Sequence, residues 1–255
     1  MNVLVCVKRV PMVGARIILT LDEREVDTRQ LGFTVSPHEE CAVEEAVRIV
    51  EANGGVASVL TLGPPEAVEQ LRDAAAIGAT RLVHLVTDGA EWDALSTAEA
   101  IVDAVRSDEA ENGPYDLILF GNEAPDTGDY QVGVRVAHAL ARPCVSGVKH
   151  LELATTTVRA RREFRGGDEL FELNLPCVIA VKEGINLPRY PSLPGRMRAK
   201  KAPVHETAVR GRAGAVRTER LRVPVETRER AEILGSGVDA VPALLALLER
   251  LGVLS

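Results

Sequence analysis

The residues with the most chemical potential in this 255-residue chain run Gly121-Asn122-Glu123-Ala124-Pro125-Asp126-Thr127-Gly128-Asp129-Tyr130-Gln131-Val132-Gly133. Glycine and small polar residues here leave an apolar run, Tyr115 to Phe120, and enter a helical pattern. Backbone amides are then left free at a helix N-terminus, an arrangement that takes a phosphate or another anion. The same residues also read as a polar connection in which Asp126 or Asp129 merely caps the helix.

A second group is Ser36-Pro37-His38-Glu39. Ser36 can accept from the first amides, Pro37 stands where a missing N–H costs nothing, and Glu39 completes a capping box. That predicts a helix start, with His38 beside it. The other four histidines, His84, His138, His150 and His205, pair with no nucleophile in a recognisable local pattern. There is no GxSxG, HExxH, GxGxxG or GxxxxGK[ST] motif, so neither hydrolase nor Walker chemistry is indicated. Cys6, Cys41, Cys144 and Cys177 lie scattered in apolar stretches without metal-ligand spacing, which predicts buried free thiols.

The elements that must position these groups alternate. Apolar runs at Asn2 to Val7, Val56 to Leu62, Arg81 to Val86 and Tyr115 to Phe120 predict strands. Between them, patterns at Pro37 to Ala52, Pro65 to Ile77, Thr97 to Ser107 and Asp129 to Ala141 predict helices. This is the signature of a doubly wound, mostly parallel α/β sheet of Rossmann-like type. In such a sheet the loops after Val7 and Phe120 flank one crevice, and the turn Leu62-Gly63-Pro64 and the helix start at Ser36 open on the same edge. The long connection from Val7 to Ser36 carries alternation at Arg16 to Thr20 and Glu25 to Thr28, which predicts a hairpin excursion.

After about residue 145 the pattern becomes antiparallel: Gly147 to Leu153, Thr157 to Phe164 and Leu170 to Leu175, with a hairpin at Arg165-Gly166-Gly167-Asp168 and a further strand at Cys177 to Val181. The expected organisation is a nucleotide-binding domain over 1–183, an extended docking arm over 184–237, and a terminal helix over 238–255. Pro188, Pro191, Pro194 and Pro203 argue for an arm rather than packed helix or strand. That arm is basic, with nine Lys or Arg against two Asp or Glu over residues 189 to 220, on a chain whose net charge is −7.

The acidity and an aromatic content of 3% exclude a nucleic-acid binder. No run reaches the roughly 18 apolar residues of a membrane span. A soluble, cytoplasmic protein is the expectation, not an integral membrane one.

Taken in order, VLVCVKRV, SPHEECAVEEAVRIVE, LRDAAAIGATRLVHL, DLILFGNEAPDTGDYQVG and LPCVIAVKEGINLPRYPSLPGRMRAKK resemble the β subunit of the electron transfer flavoproteins, from residue 2 to about residue 205. The resemblance implies a heterodimer with an α subunit that holds most of a redox FAD, while the β subunit holds AMP. Some relatives, which bifurcate electrons, carry a second FAD in place of AMP. It places Cys6, Ser36, Pro37, His38, Glu39, Leu62 and the run Gly121, Asn122, Glu123, Ala124, Pro125, Asp126, Thr127, Gly128, Asp129, Tyr130, Gln131 and Val132 on the family's AMP-contacting positions. Leu193 falls on a leucine that anchors a partner dehydrogenase, with Lys200 and Lys201 as steering charges, and Glu163 on an acidic position that pairs with the mobile flavin domain. The implied function is electron carriage from acyl-CoA or similar dehydrogenases towards a quinone reductase, with no acid–base catalytic residue and no metal in this subunit. Usual members show Asn-Pro where this chain has Ser36-Pro37. A stand-alone nucleotide sensor and a small nucleotide hydrolase are the competing classes.

Overall fold

The computed structural model describes residues 1–12, 17–87, 92–211, 216–224 and 232–254. The chain runs β1 (Asn2–Val7), β2 (Val10–Pro11), β3 (Phe33–Thr34), α1 (Pro37–Asn53), β4 (Val56–Gly63), α2 (Val68–Ile77), β5 (Arg81–Thr87), α3 (Ala94–Asn112), β6 (Leu117–Gly121) and α4 (Val132–Ala139). It continues with β7 (Cys144–Leu153), β8 (Thr157–Phe164), β9 (Gly167–Asn174), β10 (Cys177–Val181), α5 (Leu193–Lys201), β11 (Val204–Val209) and α6 (Val241–Arg250).

Among the described residues the main sheet has nine strands in the order β11-β5-β4-β1-β6-β10-β7-β8-β9. All pairings from β11 to β7 are parallel, and β8 and β9 add antiparallel strands at one edge. The parallel strands are apolar because helices cover both faces. Period-two alternation divides them between two cores. Val3, Val5, Leu117, Leu119 and Ile179 pack with Ala42, Val43 and Ile49 of α1 and Leu71 of α2. Leu4, Leu60, Ile118 and Val178 face the other way, towards Ile101 and Val105 of α3 and Val136 of α4. Strand order reverses at β1, which lies between β4 and β6, so the crevice of this doubly wound sheet opens above the carboxyl ends of those strands.

The connection from β1 to α1 is closed at its base by the β2–β3 pair, Val10 opposite Thr34. Further out, Leu19 bridges Val26 in antiparallel sense, and Thr20 N donates to Glu25 O at 2.9 Å. Arg16, the first residue of the expected alternation, lies outside the described residues, as does Val13.

The extended reading of residues 184–237 is corrected over its central part. Residues 193–201 form α5 and residues 204–209 form β11, an edge strand paired with β5. Pro194 sits in the first turn of α5, where proline's fixed φ suits a helix and no donor is lost. Pro203 precedes the strand rather than interrupting it. The expected helix at Asp129 is corrected too: α4 starts at Val132. Gly128 and Tyr130 have φ of +60° and +56°, left-handed values that a right-handed helix cannot include.

The described chain divides into two compact units, Met1–Arg220 and Leu221–Ser255. The second contains a single-turn segment at Gly237–Ala240 followed by α6. Leu244, Leu245 and Leu251 of this unit are exposed apolar residues.

Candidate functional site

A cavity of about 590 Å³ lies above the point where strand order reverses. Its wall is assembled from separate connections: Cys6 to Arg9 at and after the end of β1, Glu39 of α1, Leu60 and Leu62 to Pro64 on and after β4, and Gly121 to Ala124 with Thr127 and Asp129 to Val134 after β6.

The helix starts that meet this edge differ in how their amides are used. In α1 the Ser36 Oγ accepts from Glu39 N at 3.2 Å, and Glu39 Oε2 accepts from Ser36 N at 2.9 Å, completing the capping box. Its first turn is therefore closed by its own side chains. At α4 the N-cap residue Gln131 makes no side-chain cap bond; its Oε1 accepts from Arg135 Nε and Nη2 instead. Neither Asp126 nor Asp129 caps this helix. The first N–H groups of an α-helix have no intrahelical partner, and Val132, Gly133 and Val134 line the cavity. These amides, at the positive end of the helix, suit a phosphate.

Close backbone approach is needed opposite. A Cβ on Gly121 would lie 2.7 Å from Glu39 Cγ and 3.2 Å from His38 Cβ. Glu39 is 5% exposed, and its Oε1 accepts from Lys8 N at 2.8 Å, so one carboxyl ties α1 to the end of β1. Burial pushes the Glu39 carboxyl up to about 7, against the pull of the Ser36 and Lys8 amides. Burial, with the Glu39 charge second, also raises the Cys6 thiol far above its ordinary range. A thiol held neutral is no nucleophile at physiological pH.

Cys6, Glu39, Leu62, Gly121, Asn122, Glu123, Ala124, Thr127, Asp129, Tyr130, Gln131 and Val132 all line the cavity. Ser36, Pro37, His38, Pro125, Asp126 and Gly128 do not line it. Ser36 is buried in its cap. His38 Nδ1 accepts from Glu183 N at 2.7 Å, and its Nε2 lies 3.4 Å from Glu123 Oε1, so it links the start of α1 to the connections after β10 and β6. Asp126 pairs with Lys8 at 2.7 Å.

Residue spacing missed Lys8, Arg9, Thr87, Trp92, Asp93, Thr97 and Ser146, which also line the cavity. Several of them follow β1 and β5 at the carboxyl edge, the signal that could have found them. Arg9 stacks its guanidinium 3.3 Å from the Phe33 ring centroid. Its Nε is buried without a partner among the described residues. An apolar body, a cationic side and free helix amides are what an adenine nucleotide requires, so the residues present fit AMP.

Elsewhere, Leu193 is the first residue of α5 and 73% exposed. The Ser192 Oγ accepts from Gly195 N at 3.1 Å, and a Cβ on Gly195 would meet Ala76 O at 2.4 Å, so α5 lies tight against α2. Lys200 and Lys201 are exposed in its last turn. Glu163 lies on β8 and pairs with Lys149 at 3.0 Å. His84 is fully buried, with Nε2 at 3.3 Å from Gly63 O and Nδ1 without a partner among the described residues. Cys6, Cys41, Cys144 and Cys177 are free thiols, the third only partly buried. Among the described residues no cluster of His, Cys, Asp or Glu could hold a metal ion, and no helix is long and apolar enough to cross a membrane.

A family model described as the electron transfer flavoprotein domain matches residues 25–210. The electron transfer flavoprotein subunit beta of Bacillus subtilis is 35% identical over 208 residues, 81% of this chain and 78% of its own. That of Homo sapiens is 33% identical over 254 residues, 99% of this chain and 98% of its own. That of Syntrophomonas wolfei is 33% identical over 227 residues, 88% and 86% of the two chains.

Proposed function

Because the chain belongs to the β-subunit family of the electron transfer flavoproteins, we propose that it is the β subunit of a heterodimeric electron carrier that holds AMP in the crevice above β1, β4 and β6. The uncapped start of α4 opening into a 590 Å³ cavity is the observation that carries the AMP assignment. An α subunit holds most of an FAD, and the pair carries electrons from acyl-CoA or similar dehydrogenases towards a quinone reductase. The flavin supplies the redox chemistry when bound. This chain orients and excludes water: the α4 amides and Lys8 hold the phosphate side, while Leu60, Leu62, Ile101 and Phe120 keep the rest of the cavity dry. Such a ligand stabilises the fold by mass action, about 2.7 kcal/mol at a hundredfold excess over Kd.

The test is the nucleotide content of the purified complex after denaturation. One AMP and one FAD per heterodimer are expected, and the complex refolded without AMP should melt several degrees lower. Two flavins and no AMP overturn the AMP assignment, and a colourless homomer overturns the carrier.

The exposed Leu193 is suited to anchor a partner dehydrogenase, with the basic last turn of α5 steering an acidic surface. Leu193→Ala is expected to slow electron uptake from that dehydrogenase about tenfold while leaving the flavin spectrum unchanged. Stopped-flow rates equal to the parent's would remove Leu193 from the docking surface.

A further inference from the structure

Trp92 is the only tryptophan of the chain. It lines the crevice above the switch point and also a second cavity, of about 630 Å³, between α3 and the strands β5 and β11. No other described residue lines both, which puts Trp92 where the two cavities meet. Its Nε1 is shut off from solvent and meets no hydrogen-bond partner among the described residues. An unsatisfied buried donor is unfavourable, so hydrogen bonding does not account for the indole's place. The backbone beside it is fixed, because the next residue, Asp93, caps α3 through its Oδ1, which accepts from Ser96 N at 2.8 Å.

Sheet order gives the direction of a ligand in the crevice. β6, β1, β4 and β5 are successive neighbours. At about 4.8 Å per strand, the ends of β6 and β5 lie about 14 Å apart across the sheet. A nucleotide with its phosphate on the α4 amides extends its base past β1 towards β4 and β5. There the wall turns apolar, with Leu60, Leu62 and Ile101, and an indole adds a surface that suits the face of a base.

The geometry points to Trp92 as the residue that sets the size limit at the base end of the site. A bare purine ends against the indole, and a base carrying a bulky substituent on that end is excluded from the second cavity. This inference rests on the nucleotide reading and adds its specificity.

The test measures binding of AMP and of N6-benzyl-AMP by equilibrium dialysis, using the full chain in complex with its partner subunit after nucleotide removal. The parent is expected to prefer AMP at least about tenfold, the scale on which a closed pocket rejects extra bulk. Trp92→Ala should narrow that preference about tenfold or more, through tighter binding of N6-benzyl-AMP. Trp92→Phe, which keeps a ring at that position, should stay nearer the parent. A parent that binds both nucleotides equally overturns the inference without recourse to any variant, and so does an unchanged ratio in Trp92→Ala. A parent that binds neither overturns the nucleotide reading, and this inference with it.

Discussion

Gly121→Val is expected to abolish binding of the AMP proposed for the crevice. Even a single Cβ at Gly121 falls 2.7 Å from Glu39 Cγ and 3.1 Å from Glu39 N. Those atoms cannot drift aside independently, because the Glu39 carboxyl accepts from both Ser36 N and Lys8 N and is buried while doing so. A branched side chain therefore has to push α1 away from β6 or turn into the cavity, and either movement spoils the crevice. Overpacking of this kind costs about 1–3 kcal/mol. The loss of AMP from the purified complex should be at least tenfold by chromatography of the released nucleotides. Gly166→Ala is the matched control. Unlike Gly121, Gly166 has positive φ, +80°, but nothing lies within 4 Å of its added Cβ, so only backbone strain of about 1 kcal/mol is expected there, with AMP content equal to the parent's. A Gly121→Val protein that keeps a full complement of AMP would show that the β6 connection does not form the nucleotide wall.

Arg189→Met should be the most destabilising exchange of an exposed-looking residue. Glu44 on α1 is 1% exposed. Arg48 Nε donates to it at 2.6 Å, and Arg189 donates through Nε at 3.0 Å, Nη2 at 3.1 Å and its backbone N at 3.1 Å. Burial alone would raise this carboxyl, but the donors from Arg189 and Arg48 outweigh it and hold the group below its usual range. With the Arg189 guanidinium gone, the buried carboxylate keeps only Arg48 and the backbone N–H of residue 189, a loss on the order of 3 kcal/mol at neutral pH. The sign of the pH dependence follows. A folded pKa below the unfolded 4.5 means that the stabilisation is present above 4.5 and disappears as pH falls through the lower folded value. The difference between parent and Arg189→Met in urea midpoint should therefore shrink below that pH. A difference that stayed constant down to the acid limit would mean that Arg189 acts by packing alone. Because Arg48 also donates to Leu187 O at 3.1 Å, the same network fastens residues 186–189 along α1 and sets where α5 and Leu193 begin.

Local rules carried some elements well. The capping box at Ser36 and Glu39 needs only residues three apart in sequence, so its geometry was readable before any tertiary contact. The apolar run Asn2 to Val7 likewise marked β1, while the structure divides its Val3 and Val5 from Leu4 between the two cores. Proline misled at α5, because a residue that breaks a helix interior also suits its first turn, and spacing alone does not say which position it holds. The start of α4 slipped for a related reason: left-handed backbone at Tyr130 is set by its surroundings, not by a tyrosine's own preference.

By itself, then, the amino-acid order determined the strands and helices of the parallel sheet up to residue 183, apart from where α4 starts, that parallel strands lie buried under helices, and which loop has small residues leading into a helix. Those outcomes depend on periods of two and 3.6 residues and on caps a few positions apart, distances over which the chain is its own environment. Packing decided the rest. Lys8, Arg9, Trp92 and Ser146 share one cavity although they are up to 138 positions apart, because the reversal of strand order at β1 brings the connections after β1 and β5 to one edge, where Ser146 of β7 pairs with Ala180 near the end of β10. No local signal marks that convergence, since each of these residues meets its neighbours only once the whole sheet has closed.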